Sequence, residues 1–136
     1  MKLSILHPIK TDFFLNDSGQ LTVAEFPVSK YFQVNRLYYI SDVPTDKFRG
    51  GHAHKSLHQA FFALKGSFKL RVTNGILVDE VLIEEKGVGY FLKPGFWRDL
   101  LDFTPGTICL VLASKKFDSA DYIYTMDEYL KWRVSN

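Results

Sequence analysis

The sequence predicts an all-β domain, a small barrel or jelly roll that ends in one short helix. Three observations carry that expectation. Short runs rich in Val, Ile, Leu, Phe and Tyr recur along the 136 residues, each bounded by Gly, Pro, Asn or Asp. Seven Tyr and twelve Phe supply the aromatic side chains that favour strands. The hydrophobic period leaves two and becomes three or four only near the C-terminus.

Taken in order, "MKLSILHPIK" offers an apolar N-terminal strand able to add to the edge of another sheet. "QLTVAEF" alternates Leu21, Val23 and Glu25 with Thr22, Ala24 and Phe26 after an "NDSG" turn at Asn16 to Gly19. "NRLYYIS" is a strand before "DVPTD". "QAFFALKG" and "SFKLRVTNG" form two strands around Gly66, with Phe68, Leu70 and Val72 on one face. Asn74-Gly75 reads as a hairpin dipeptide, because both residues tolerate the positive φ of a type I′ turn. "LVDEVLIE", "GVGYFLKPG" and "TICLVLAS" add three strands. In "TMDEYLKWRV", Thr125 caps a helix with Asp127 and Glu128 in its first turn and Lys131 and Arg133 in its last. Tyr129, Trp132 and Arg133 share a face of it.

Composition narrows the function classes. Hydrophobic residues are 46% and charged residues 24%, the balance of an ordinary globular chain, and the length suits one domain. The net charge of +2 comes from interspersed charges with no basic block, so neither nucleic acid nor an anionic surface is the expected partner. One cysteine, Cys109, lies within "TICLVLA" and reads as a buried reduced thiol. No stretch approaches the ~20 apolar residues of a membrane span. The start lacks the apolar core and cleavage site of a signal peptide, so the expected location is cytoplasmic.

The chemistry concentrates in "RGGHAHKSLHQAFFALKG", Arg49 to Gly66. Alternation places His52 and His54 on one side of an extended segment, which in a small barrel can be the interior. Gly50 and Gly51 permit a sharp turn and close approach by a ligand. The pattern is His-x-His-x4-Gln-x6-Gly, with Gln59 where a metal site would want a carboxylate. A Gln carbonyl is a weak ligand, and two neutral imidazoles alone hold a divalent ion poorly. No metal or other cofactor is therefore expected.

That pattern resembles the first signature of the cupin superfamily, with Gln59 replacing the usual Glu. "GVGYFLKPGFWRD" resembles the second, with Arg98 about where a His is usual. More closely, "RLYYISDVP", "RGGHAHKSLHQ", "FWRDLLDF", "VLAS" and "DYI", in this order, resemble the sugar 3,4-ketoisomerases of nucleotide-sugar biosynthesis, over almost the whole chain. The resemblance implies a cupin-type jelly roll over residues 1–136, a homodimer with an exchanged N-terminal strand, no metal in the chemistry, and dTDP-4-keto-6-deoxy-D-glucose as substrate. Such a reaction moves a carbonyl from carbon 4 to carbon 3 through an enediol, on the way to a 3-amino-3,6-dideoxy sugar.

By the same carry-over, His52 is the base for the carbon 3 proton. His54 orients the sugar or carries protons, and Tyr38 is a hydrogen-bond donor. Arg36, Arg49 and Arg98 are candidates for pyrophosphate and oxyanion contacts, since guanidinium suits such oxygens. Gln59 hydrogen-bonds within the pocket. Arg98 favours the gluco product over the galacto, because relatives with His there can deliver a proton from the other face and Arg cannot readily do so. Ser18 lies where relatives carry larger side chains that also bear on that choice.

Blander readings stand beside these. His52 and His54 are otherwise satisfied polar residues on a strand, Tyr38 ordinary packing beside Tyr39, and Arg36 and Arg49 solvated charges. Trp97 and Phe96 read as core or pocket wall, His58 as exposed and off parity, and His7 as non-catalytic. Asp102 either orients a histidine or caps a turn. The rival functions are a metal-dependent cupin enzyme, a sugar-nucleotide 3,5-epimerase, and a non-catalytic nucleotide-sugar-binding module.

Overall fold

The computed structural model describes residues 4–30 and 32–136. Its strands are β1 (His7–Ile9), β2 (Asp12–Asn16), β3 (Gly19–Val23), β4 (Arg36–Ile40), β5 (Arg49–His54), β6 (Gln59–Lys65), β7 (Ser67–Thr73), β8 (Val78–Glu84), β9 (Gly89–Leu92), β10 (Trp97–Leu101), β11 (Ile108–Ala113) and β12 (Tyr122–Ile123). A 3-10 turn, Ser119–Asp121, precedes β12, and the helix α1 spans Met126–Ser135. Two five-stranded antiparallel sheets, ordered β1-β9-β6-β11-β4 and β12-β5-β10-β7-β8, form the jelly roll. The hairpin β2-β3 stands apart from both as its own sheet.

One apolar core holds the two sheets face to face. Phe61, Leu92, Cys109 and Val111 enter it from the first sheet, and Phe68, Leu70, Val72, Ile83 and Leu100 from the second. Burial pushes the Cys109 thiol up to about 12, as befits an inert core group. On the outer side of the second sheet, Ala53, Trp97 and Ile123 pack beneath Tyr129 of α1. Thr125 caps that helix by accepting from the Glu128 N–H at 3.2 Å. The Tyr129 hydroxyl lies 3.0 and 2.9 Å from the carbonyl oxygens of Thr73 and Gly95, which fixes the helix to two loops.

Two local expectations change. The β7-β8 loop holds four residues, with Thr73 facing Val78, so Asn74-Gly75 does not form a two-residue turn. The Asn74 side chain instead accepts from the N–H groups of Ile76 and Leu77, at 2.9 and 2.7 Å, and only Gly75 takes a positive φ. At Gly50 and Gly51 the positive φ values, 94° and 68°, give the sharp bend the form of a β-bulge. Arg98 faces His52 while Asp99 faces Gly50, leaving Gly51 as the extra residue. A Cβ on Gly50 would meet the Arg98 carbonyl oxygen at 2.9 Å.

Candidate active site

The site lies between the inner faces of the two sheets, at the end where β5 meets β12. Cross-strand pairing determines which side chains meet. In the first sheet Ala113 faces both Arg36 and Gln59, and Val111 faces both Tyr38 and Phe61. In the second, His52 faces Arg98 and His54 faces Tyr122. Ala113 is the smallest member of its row and leaves space between Arg36 and Gln59.

His52 and His54 share the inward face, as alternation requires, and their Nε2 atoms are 3.1 Å apart. Tyr122 packs against both rings, with centroid separations of 5.0 and 4.3 Å. Neither imidazole is charged at neutral pH. Burial first, and the Arg98 guanidinium second, lower His52 to about 4, partly offset by a hydrogen bond to the Gly50 carbonyl. Burial lowers His54 to about 2, helped by Arg98, His52 and Arg36.

Opposite the histidines is a cluster of donors. Arg98, only 3% exposed, donates from Nη2 to the Tyr38 hydroxyl at 3.1 Å, and its guanidinium lies 5.3 Å over the Phe61 ring. Gln59, 1% exposed, donates from Nε2 to the same hydroxyl at 3.0 Å. A hydroxyl that accepts two hydrogen bonds keeps its own hydrogen for a third partner. The Arg36 guanidinium covers the Tyr38 ring at 4.8 Å and the Phe117 ring at 5.5 Å. The structure thus brings together His52, His54, Tyr38, Gln59, Arg98 and Arg36. Arg49 does not join them: it is exposed at the start of β5 and borders a polar groove with Tyr39, Asp42 and Lys47.

Other sequence readings are resolved. Asp102 does not reach a histidine; it is exposed at φ 53° and pairs with Lys69 at 3.5 Å. Trp97 belongs to the core under α1 and not to the pocket, whereas Phe96 packs against the main core. His58 is half-buried and not exposed, stacked on Phe91 at 5.8 Å, because its loop folds back onto Ser114. Ser18 is exposed in the β2-β3 turn and donates its N–H to Asn16 Oδ1.

The sequence reading missed Asp121 and Tyr122. The Asp121 carboxylate Oδ2 lies 3.5 Å from His54 Nδ1. Its Oδ1 accepts from the Ser56 N–H at 2.8 Å and the Ser56 hydroxyl at 2.6 Å. The signal was present in "DYI", a segment that carried part of the resemblance while its acid had no role assigned. A small cleft of about 50 Å³, lined by Arg36, Lys115, Phe117, Asp121 and Tyr122 among others, adjoins the pair. An apolar groove of about 420 Å³ lies elsewhere, between the hairpin β2-β3 and the outer face of the first sheet, and contains no candidate residue.

The donor set does not suit a divalent ion. The two imidazole Nε2 atoms face each other, the carboxylate position is a glutamine, and a guanidinium stands where a further ligand would be. Among the described residues no three of His, Cys, Asp or Glu are gathered for a metal. No helix among them is long and apolar enough to cross a membrane.

Comparison with known proteins identifies relatives of this chain. A TDP-4-oxo-6-deoxy-alpha-D-glucose-3,4-oxoisomerase from Aneurinibacillus thermoaerophilus is 32% identical over 118 residues, 87% of this chain and 85% of that one. The 3,4-ketoisomerase QdtA from Thermoanaerobacterium thermosaccharolyticum was solved as a histidine-to-asparagine mutant in complex with TDP-4-keto-6-deoxyglucose. It superposes with a TM-score of 0.90 at 34% identity, covering 99% of this chain and 98% of that one. The WlaRB TDP-quinovose 3,4-ketoisomerase from Campylobacter jejuni gives 0.85 at 29%, covering 95% and 99%. The family model FdtA, described as WxcM-like, C-terminal, matches residues 4–134, and this chain belongs to that family.

Proposed function

We propose that the chain is a nucleotide-sugar 3,4-ketoisomerase. It converts dTDP-4-keto-6-deoxy-D-glucose to the corresponding 3-keto sugar without a metal, and the whole chain acts as one cupin domain. The observation that carries this reading is a histidine pair, His54 buried and His52 half-buried, facing the Tyr38, Gln59 and Arg98 donors. The relatives' substrates supply the sugar and the nucleotide.

The ketone at carbon 4 acidifies the proton on carbon 3. His52, kept unprotonated by burial and by Arg98, removes it. The electron pair moves into an enediolate spanning carbons 3 and 4. Arg98 and the Tyr38 hydroxyl stabilise its oxygens, because both are donors already in place before charge develops. Return of the proton to carbon 4, with the hydroxyl hydrogen on oxygen 3 passed to oxygen 4, leaves the carbonyl at carbon 3 and a hydroxyl at carbon 4. His54 orients the sugar and shares protons with His52. Gln59 fixes the Tyr38 hydroxyl, and Arg36 closes the mouth over Tyr38 and faces the phosphates. Arg98 is a poor proton donor, which favours the gluco product.

The outer face of the first sheet exposes Leu37, Tyr39 and Leu64, and the unattached hairpin exposes Phe13, Phe14, Leu15 and Leu21. We propose that these faces meet in a homodimer with the N-terminal segment exchanged. β1 pairs with β9 of its own chain, so the hairpin is the segment available for exchange.

The test is a proton NMR time course with dTDP-4-keto-6-deoxy-D-glucose and EDTA-treated protein. The expected product is the 3-keto sugar, with carbon 4 couplings of the gluco series. Activity lost to EDTA and restored by a metal would favour a metal-dependent cupin. Binding without turnover would favour the non-catalytic module.

A further inference from the structure

We propose that Asp121 is a positioning residue that holds His54 in the tautomer protonated at Nδ1, so that the proton taken from the sugar is held between the two histidine rings. Its catalytic consequence rests on the ketoisomerase reading, whereas the tautomer does not.

The carboxylate is anchored independently of the histidines. It closes the 3-10 turn Ser119–Asp121, which Asp118 caps by accepting from the Ala120 N–H at 3.0 Å. The Ser56 N–H and hydroxyl both hold Oδ1, and Lys115 Nζ in turn donates to the Ser56 hydroxyl at 3.0 Å. Oδ2 is left facing His54 Nδ1 at 3.5 Å, an ion-pair separation longer than a formed hydrogen bond, of the kind that tightens when substrate binds, with the two side chains 13% and 4% exposed. Among the described residues His54 Nδ1 is a buried nitrogen with no formed hydrogen bond, and the Asp121 carboxylate is the acceptor that faces it. The remaining groups around the pair are Arg98 from β10, Arg36 from β4 and the aromatic Tyr122 from β12. Both charged ones are cations, so Asp121 is the anion that faces His54 Nδ1.

Which ring nitrogen carries hydrogen is set by what the other nitrogen meets. With His52 Nε2 turned toward His54, the backbone contact of His52 with Gly50 falls to its other nitrogen, and on this proposal Asp121 does the same for His54. Both Nε2 lone pairs then converge across 3.1 Å, a separation suited to a single bridging proton. During turnover the carbon 3–hydrogen bond breaks, its electron pair enters the enediolate, and its proton bridges His52 Nε2 and His54 Nε2. Delivery to carbon 4 empties the bridge again. An Asn at 121 could instead donate its amide to His54 Nδ1. That would place the His54 hydrogen on Nε2, where it occupies the lone pair that His52 needs as a base.

The test compares wild type with Asp121→Asn and Asp121→Glu, using ¹⁵N-histidine spectra of the free protein and steady-state kinetics on the keto sugar. The expected spectrum has His54 protonated at Nδ1 in wild type and at Nε2 in Asp121→Asn. The expected kinetics are a kcat lowered about 10²-fold in Asp121→Asn with KM within about threefold, and partial recovery in Asp121→Glu. A wild-type His54 protonated at Nε2 overturns the inference, and this spectrum decides even if the Asn variant does not fold. So does an Asp121→Asn enzyme with unchanged kcat. Failure of wild type to isomerise the sugar would instead remove the function, leaving the tautomer to be judged by the spectrum.

Discussion

Asp79 and the histidine pair are both polar groups buried in the same jelly roll, and they are treated in opposite ways. Asp79, 8% exposed on β8, accepts at Oδ2 from the Ser4 hydroxyl and the N–H groups of Ile5 and Leu6, at 3.0, 2.9 and 3.0 Å. It ties the N-terminal segment to the second sheet and is fully satisfied. Burial alone would raise its carboxyl, but the Leu6 N–H, the Ser4 hydroxyl and the other donors hold it below the ordinary value. At the other end, His54 Nδ1, Gln59 Oε1 and Arg98 Nε are the buried side-chain atoms without a hydrogen-bond partner among the described residues. Such atoms destabilise a fold by ~1–3 kcal/mol each unless something else meets them. A closed polar cluster serves stability, and an open one serves a reaction.

That contrast can be broken in four ways, the largest effect first. His52→Asn removes the base and is expected to lower turnover by at least ~10³-fold while the melting temperature stays within a few degrees. Substantial residual turnover would move the chemistry to another residue. Tyr38→Phe deletes the hydroxyl that Gln59 and Arg98 both donate to, and should lower kcat about 10- to 10²-fold. An unchanged kcat would make that hydroxyl a packing feature.

Asp79→Ala should act in the reverse sense. Removing an acceptor from two buried N–H groups is expected to destabilise the fold by ~1–3 kcal/mol in denaturant titration, with kcat of the folded fraction unchanged. Loss of kcat without loss of stability would erase the distinction between the two clusters.

The smallest effect is in the pH dependence of stability. His52 and His54 have folded values below their ordinary 6.5, so between pH 6.5 and about 4 the unfolded chain binds more protons than the folded one. Their contribution to stability is complete above pH 6.5 and declines as pH falls through that window. The Asp79 contribution is lost only at lower pH, below the ordinary carboxylate value. Melting curves at pH 7 and pH 5 should show a fall for wild type and a smaller one for His54→Gln. Equal falls would mean that His54 is not held neutral.

Much of this was legible in the sequence because it depends on short-range patterns. His52 and His54 fall on one face by alternation, and Thr125 marks a helix start by its side-chain chemistry. Gln59 and Arg98 were legible only by resemblance, since period alone would leave a buried arginine in "FWRDLLDF" as an exposed charge. What stayed hidden depends on distant pairing. Asp121 reaches His54 through the two-residue strand β12, too short to show as a hydrophobic run. Arg49 looked equivalent to Arg98, but the bulge at Gly51 separates it from the inward pair. The Asn74-Gly75 loop is longer than its dipeptide suggests because Asn74 uses its side chain to close the turn.

The central claim is that His52 is the uncharged base that takes the carbon 3 proton. The most direct measurement is deuterium incorporation from deuterated water into dTDP-4-keto-6-deoxy-D-glucose, followed by proton NMR at pH 7 for wild type and His52→Asn. The account predicts loss of the carbon 3 proton and deuterium at carbon 4 of the product with wild type, and neither with the variant. Exchange at carbon 3 that proceeds equally fast in His52→Asn would contradict it.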